Sequence, residues 1–389
     1  MVKKESRRNT IKRREFIKTT AAAGAAVMLP CFGPFSSAPD ATDVYYSTLA
    51  DALNRLPNAF PRTKSNVEVL LLKKIFTPEE AWLAGQMSVE REAVDSIAKR
   101  VDLPVEEVRE RLEKLSARGF VWGGRGTYRL APFIVGIYET QWQVMDHELA
   151  HLFEEWMDEG GVEFMRPRPA IHRVIPAQSA VKSEWILPYD DIKAILKKMK
   201  SFRVRDCICR LQQDELEERQ CDFPLKTCLT FTPFERSPNE RDITLEEALA
   251  LIDETEEVGL VHSVSNVAGG FYYVCNCCGC CCGVLRGITE WGIEKSVAAA
   301  NYYVVIDPDL CQGCGRCVDR CQMKAVSIQN GVSVVDREEC IGCGLCVTGC
   351  PFGIAKLEPK SEDQIVPPPK NLMVWEKERL KNRGLLKSD

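Results

Sequence analysis

The chain has 389 residues, 28% charged and 45% hydrophobic, with a net charge of −5, a balance that fits two or three globular domains and excludes a mainly disordered chain. Nineteen cysteines against four histidines, with no Cys-x-x-Cys-His run, exclude covalently attached c-type haem and argue against imidazole-rich metal centres. The longest uncharged apolar stretch, Thr19 to Phe35, is broken by Gly24, Pro30, Gly33 and Pro34 and falls short of the roughly 20 apolar residues of an integral membrane span.

Residues 1–38 open with Lys3, Lys4, Arg7, Arg8, Lys12, Arg13, Arg14 and Lys18 against Glu5 and Glu15, a net +6. The apolar run Ala21 to Leu29 and the small residues Ser36, Ser37 and Ala38 follow. This is the layout of a secretory signal peptide, with cleavage expected after Ala38. Within it, Lys12-Arg13-Arg14-Glu15-Phe16-Ile17-Lys18 resembles the twin-arginine signal, which implies passage to the periplasm in folded form. Cys31 does not read as a lipidation site, because Pro30 stands where a small residue is required. Subtracting the +6 leaves −11 on the mature chain, which disfavours nucleic acid and anionic lipid as partners.

Residues 39–138 read as helices ending in a hairpin. Thr77-Pro78-Glu79-Glu80 is a capping box with proline at the first helical position. Val94, Ile97, Ala98 and Val101 recur at helical spacing, Leu103-Pro104 interrupts, and Val105, Val108, Leu112 and Leu115 resume until Gly119. Phe120 to Trp122 and Thr127 to Leu130 flank a Gly-rich turn. The whole resembles a winged-helix domain. The helix that would enter a DNA groove carries Glu106, Glu107, Glu110 and Glu113 against Arg109, Arg111 and Lys114, so a docking or structural module is expected rather than a DNA reader.

Residues 139–200 are expected to be a helical connector. His147-Glu148-Leu149-Ala150-His151 fits the H-E-x-x-H zinc pattern. No third ligand is evident, and Glu154 stands where the longer metzincin form needs glycine. The preferred reading is an amphipathic helix with Trp142, Met145, Leu149, Leu152, Phe153 and Trp156 inward. Farther on, residues 188–206 read as a helix and then a strand, Phe202 to Val204, and Thr244-Leu245-Glu246-Glu247 is a second capping box.

Eighteen of the cysteines lie between Cys207 and Cys350. Cys311-x-x-Cys314-x-x-Cys317-x-x-x-Cys321 repeats 29 residues later as Cys340-x-x-Cys343-x-x-Cys346-x-x-x-Cys350-Pro351. The pair resembles the bacterial ferredoxin that carries two [4Fe–4S] clusters. That resemblance implies crossed ligation, with Cys311, Cys314, Cys317 and Cys350 on cluster 1 and Cys340, Cys343, Cys346 and Cys321 on cluster 2. Gly313, Gly315, Gly342 and Gly344 would let the backbone approach the clusters. Gln322 departs from the pattern, standing where the second repeat has Pro351.

Ten cysteines precede this unit: Cys207, Cys209, Cys221, Cys228, Cys275, Cys277, Cys278, Cys280, Cys281 and Cys282. Ten free thiols invite oxidation in an exported chain, and the crowded Cys275 to Cys282 run resists pairing as disulfides. One or two further iron–sulfur clusters are therefore expected. One grouping takes Cys207, Cys209, Cys221 and Cys228, with a second cluster from the Cys275 to Cys282 loop. The two segments could equally share ligands, and zinc is possible through four of the ten.

The expected fold is α+β and multidomain: signal peptide 1–38, winged-helix-like domain 39–138, helical connector 139–200, cysteine-rich α+β middle region 201–300, two-cluster ferredoxin fold 301–360, and a Pro-rich linker with an exposed helix, Leu372 to Leu385, in 361–389. Ferredoxin-domain proteins with a cysteine-rich preceding region are what the chain as a whole resembles, and that resemblance supplies no reaction. The leading expectation is an exported iron–sulfur protein relaying single electrons to or from a partner oxidoreductase, more a carrier or subunit than a stand-alone enzyme. Two alternatives stand beside it: a cytoplasmic redox-sensing winged-helix regulator, and a redox enzyme with its catalytic centre in the Cys207 to Cys282 region. No catalytic residue is assigned.

Overall fold

The computed structural model describes residues 42–386, and the signal segment lies outside the described residues. The described residues form one compact unit, and one large hydrophobic core runs from Tyr46 to Trp375.

Three helices come first: α1 (Asp43–Arg55), α2 (Val67–Ile75) and α3 (Pro78–Gly85). The capping box expected at the third is present, with Thr77 accepting from the Glu80 amide and Glu80 from the Thr77 amide. β1 (Glu92–Ala93), α4 (Val94–Val101), α5 (Val105–Ala117), β2 (Val121–Gly124) and β3 (Thr127–Leu130) follow. The apolar periodicity turns Val94, Ile97, Ala98 and Val101 inward from α4, and Val108, Leu112 and Leu115 inward from α5. β3 lies between β1 and β2 in a small sheet.

The middle region contains α6 (His147–Glu159), β4 (His172–Ile175), α7 (Ile192–Leu196), β5 (Ser201–Asp206), α8 (Ile208–Glu215), β6 (Lys226–Thr232), β7 (Asp242–Ile243), α9 (Leu245–Val258), β8 (Val261–Ser265), β9 (Tyr273–Cys277), α10 (Arg286–Thr289) and β10 (Val297–Ala298). Its strands form one seven-stranded sheet in the order β10-β4-β8-β9-β6-β5-β7. Only the β10–β4 pair is parallel. In the centre Leu229 faces Val274, Ser263 faces Cys275 and Val261 faces Cys277. That order sets cysteines remote in sequence beside one another. On one side of the sheet stands an aromatic cluster of Phe60, Phe133, Tyr138, Phe153, Trp156 and Phe164.

β11 (Tyr302–Ile306), α11 (Arg316–Asp319), β12 (Val326–Gln329), β13 (Val332–Val335), α12 (Leu345–Thr348) and β14 (Ala355–Pro359) make the cysteine repeat, with β11 paired to β14 and β12 to β13. α13 (Leu372–Asn382) ends the described chain. Most of this helix is exposed, as expected, but two buried side chains, Trp375 and Arg379, anchor it to the body. Trp375 is buried and donates to the Ala170 carbonyl, and Arg129 pairs with Glu376. Arg379 is fully buried and donates to the carbonyls of Pro57, Phe164, Pro167 and Pro169. A guanidinium is the one side chain with enough donors for four carbonyls from two remote loops. Burial and the nearby Arg383 pull its pKa down to about 9, so it stays cationic at neutral pH. Arg379→Met strands those carbonyls at roughly 1–3 kcal/mol for a buried unpaired group. The expected result is a clear fall in the thermal midpoint, with early proteolytic release of α13.

Candidate metal centres

All 18 cysteines among the described residues are free thiols. They divide by position into four sets, two in the C-terminal repeat and two upstream.

In the repeat, Cys311, Cys314, Cys317 and Cys350 line one small cavity together with Ser333, Phe352 and Ile354. Three come from the first loop and the fourth from the far repeat. The Ser333 amide donates to Cys311 Sγ at 3.3 Å, and Ser333 Oγ lies 3.1 Å from Cys317 Sγ. Hydrogen bonds from the Ser333 and Gly313 amides hold the Cys311 thiol below its ordinary range. At Cys350 burial pushes up, but the amides of Ala355, Ile354, Phe352 and Gly353 outweigh it and the net shift is down. The second set, Cys340, Cys343, Cys346 and Cys321, sits deeper. Burial, with Cys321 and Cys340 as neighbours, pushes Cys343 up to about 12, and Cys346 is raised by burial beside Cys343, Cys340 and Cys321. Cys321 Sγ accepts from the Ala325 amide at 3.2 Å. Gly313 and Gly342, equivalent in the two repeats, both take positive φ, and a Cβ on Gly313 would stand 2.1 Å from the Gly331 carbonyl. Glycine is required there.

Upstream, the strands regroup the cysteines in a way that departs from the expected sets. Cys207, Cys209 and Cys228 do not join Cys221. They line an apolar cavity of about 60 Å³ with Cys275, Cys277 and Cys282, walled by Ile134, Phe153, Met157 and Phe164. Cys275 and Cys277 share a face of β9 because alternate strand residues do. Cys228 follows from the β6–β9 register, and Cys207 and Cys209 enter at the start of α8. His172, from β4, also lines this cavity, and neither ring nitrogen has a hydrogen-bond partner. Burial lowers its pKa to about 4, so it is a neutral imidazole at pH 7. The carboxyl of Glu139, a partly exposed residue, also reaches the cavity. Burial pushes it up to about 7 against the hydrogen bond it accepts from the Gly136 amide.

Cys221 instead meets Cys278, Cys280 and Cys281, and the four sulfurs lie within 4.8 Å of one another. Leu260 and Phe223 pack on this group. Beside it Gly279 touches the repeat: its amide donates to Gln322 Oε1 at 3.0 Å, while Gln322 Nε2 donates to the Gly259 carbonyl at 2.9 Å. A Cβ on Gly279 would come within 2.1 Å of the Gln322 carbonyl. Through its side chain Gln322 joins the repeat to the upstream cysteine turn and to the end of α9.

Among the described residues the His147 to His151 pair is not gathered with a third possible metal ligand. Its rings stand 6.3 Å apart, His147 Nδ1 meets the Glu215 carbonyl at 2.7 Å, and Glu148 pairs with Lys74. Glu154, where the metzincin pattern wants glycine, accepts from Gln212 and Arg286 and so links α6, α8 and α10. Sequence reasoning missed His172, Glu139, Ser333 and the arginines Arg210 and Arg219. Only the histidine carried a signal, being one of four.

Residues 303–362 match the 4Fe-4S dicluster domain, and residues 10–30 match the TAT (twin-arginine translocation) pathway signal sequence. No curated protein and no solved structure matches the chain. The chain is therefore an iron–sulfur protein exported by the twin-arginine route to the extracytoplasmic space. Free thiols around a cavity, three of them (Cys311, Cys317 and Cys350) beside backbone or hydroxyl hydrogen-bonding groups, fit an iron–sulfur group. Among the described residues no helix is long and apolar enough to cross a membrane.

Gln322→Ala leaves the Gly279 amide and the Gly259 carbonyl unpaired, at an expected cost of about 1–2 kcal/mol in denaturant unfolding. Gln322→Pro, which copies the second repeat, should cost no less. Wild-type stability in the proline variant would show that this side chain does not hold the junction.

Proposed function

We propose that the chain is an extracytoplasmic electron carrier whose C-terminal repeat holds two [4Fe–4S] clusters in crossed register. Cys311, Cys314, Cys317 and Cys350 would hold one, and Cys340, Cys343, Cys346 and Cys321 the other. The observation that carries this reading is the cavity shared by three cysteines of the first loop and the last cysteine of the second repeat. Bound clusters supply one-electron chemistry, and with four thiolates each they offer no open position of their own. The chain's own residues tune and expose them. Ser333 and the amides after Cys350 donate to sulfur, while Cys314 is exposed beside the exposed apolar side chains of Leu310 and Phe352. That edge is where a partner oxidoreductase would exchange electrons.

The N-terminal region fits a winged-helix-like docking module, on the order helix, strand, helix, helix, strand, strand and the β1-β3-β2 sheet. What argues against a DNA-reading regulator is charge. Arg109, Arg111 and Lys114 of α5 are each paired with a glutamate of the same helix, so few cations remain for phosphate.

Cys350→Ser in anaerobically purified full-length protein tests the crossed register. Redox-titrated EPR is expected to show loss or conversion of one cluster signal, and the same signal should respond to Cys314→Ser. Agreement of Cys350→Ser with Cys343→Ser instead would overturn the assignment.

A second reading, a redox enzyme, is favoured by the six-cysteine cavity with its unpartnered His172. A cubane has four terminal positions, and six thiols with an imidazole exceed them. If this cavity holds a further cluster, His172→Phe should alter the upstream iron signal in EPR and leave the two C-terminal signals in place. Unchanged spectra and iron content would reduce His172 to a packing residue.

A further inference from the structure

Cys221, Cys278, Cys280 and Cys281 differ from every other cysteine set in how close they are. Cys221 Sγ lies 3.8 Å from Cys278 Sγ and 3.7 Å from Cys281 Sγ, and Cys280 Sγ lies 3.7 Å from Cys281 Sγ. Four sulfurs bound at about 2.3 Å to one tetrahedral ion have edges of about 3.8 Å, since a tetrahedral edge is about 1.6 times its radius. A cubane behaves otherwise. Each thiolate binds a separate iron corner and projects outward from it, so the four sulfurs stand well apart. The C-terminal repeat supplies the comparison within the same chain. Among the described residues, neither of its cysteine sets brings its sulfurs within 4.8 Å of one another as this group does.

The surroundings carry the matching charge. Four thiolates on a divalent ion sum to −2. Arg210 is fully buried, spends its terminal nitrogens on the carbonyls of Pro224 and Asn276 and on Thr227, and keeps a buried Nε without an acceptor. Its guanidinium is within reach of Cys278. Arg219, whose Nε is likewise buried and unpartnered, is within reach of Cys221. Arg219 also pairs with Asp214 at 2.8 Å, so the two guanidiniums beside two of the four sulfurs offset part of the −2 of a tetrathiolate ion, a charge that is costly to bury unpaired.

We infer that Cys221, Cys278, Cys280 and Cys281 bind one divalent transition-metal ion, zinc or ferrous iron, in a tetrahedral tetrathiolate site rather than an iron–sulfur cubane. Tetrahedral S4 sites select these soft-tolerant ions. The ion fixes the Cys278 to Cys281 turn, and with it Gly279, on which Gln322 of the repeat docks. The site does not depend on the electron-carrier reading, because it rests on the spacing of Cys221, Cys278, Cys280 and Cys281 alone.

The test compares full-length wild type with Cys278→Ser and Cys281→Ser, purified anaerobically, by elemental analysis together with acid-labile sulfide. Each variant should lose one metal ion per chain and no sulfide, with the EPR signals of the C-terminal clusters retained. Loss of about four iron atoms with four sulfides, the content of one cubane, would overturn the inference, as would no loss of metal. A second measurement needs no variant. Wild type produced with Co²⁺ should show the intense visible ligand-field bands of tetrahedral cobalt and sulfur-to-cobalt charge transfer, and their absence would also overturn it. Zinc and iron are told apart by the elemental count, and either one satisfies the geometry. Failure of the C-terminal clusters would appear separately, in the sulfide count and EPR.

Discussion

The arrangement depends on how one short segment, Cys275 to Cys282, distributes its sulfurs. On β9 the alternation of a strand sends Cys275 and Cys277 to the same face, into the apolar cavity. The turn that follows reverses direction, so Cys278, Cys280 and Cys281 meet Cys221, and Cys282 returns to the cavity. Burial makes this costly for bare thiols. Cys207 is pushed well above its ordinary range by Cys209 and by burial, and Cys277 by Cys275 and by burial. Thiolates form in such a place when a metal supplies the opposing charge.

The rest of the fold serves that segment from both sides. The sheet order places β6 and β8 beside β9, which lets Asn276 bind Thr227 and His262 while Arg210 closes on its carbonyl. The aromatic side chains Tyr138, Phe153 and Phe164 cover the cavity opposite. At the far end the Cys278 to Cys281 turn touches Gln322, the residue after Cys321. Sulfur sites therefore succeed one another from the interior of the sheet, through the Gly279 to Gln322 junction, to Cys314 at the surface. Arg320 reinforces the junction by donating to the carbonyls of Glu256, Glu257 and Leu345, which ties α9 to both repeats.

Legibility in the sequence followed the range of the interaction. The two capping boxes, the periodicity within α4 and within α5 and each half of the cysteine repeat are patterns continuous in sequence, and each is read from neighbouring residues alone. The grouping of the ten upstream cysteines is not local. It is decided by strand order, which sets Cys228 beside Cys275 and separates Cys221 from Cys207, and no spacing in the sequence encodes that. Likewise α13 reads as polar and solvent-facing, and most of it is. What the sequence hides is its anchor, Arg379, whose partners at Pro57, Phe164, Pro167 and Pro169 are remote in sequence and are carbonyls that any residue could supply.

Gln322 shows how a departure from a repeat can be read. An internal duplication of cysteines constrains the positions that approach sulfur, so Gly313 and Gly342, or Cys321 and Cys350, correspond. Positions facing outward are constrained only by what lies against them. Pro351 lies in the wall of the first cavity, and a ring without a donor suffices there. Its counterpart lies against the Gly279 amide of the upstream loop and the Gly259 carbonyl at the end of α9, and a proline would leave both unpaired. A side chain offering one acceptor and two donors satisfies both. The asymmetry between the two repeats therefore marks the face by which the repeat joins the rest of the chain, and the cysteines, identical in both, carry no such information.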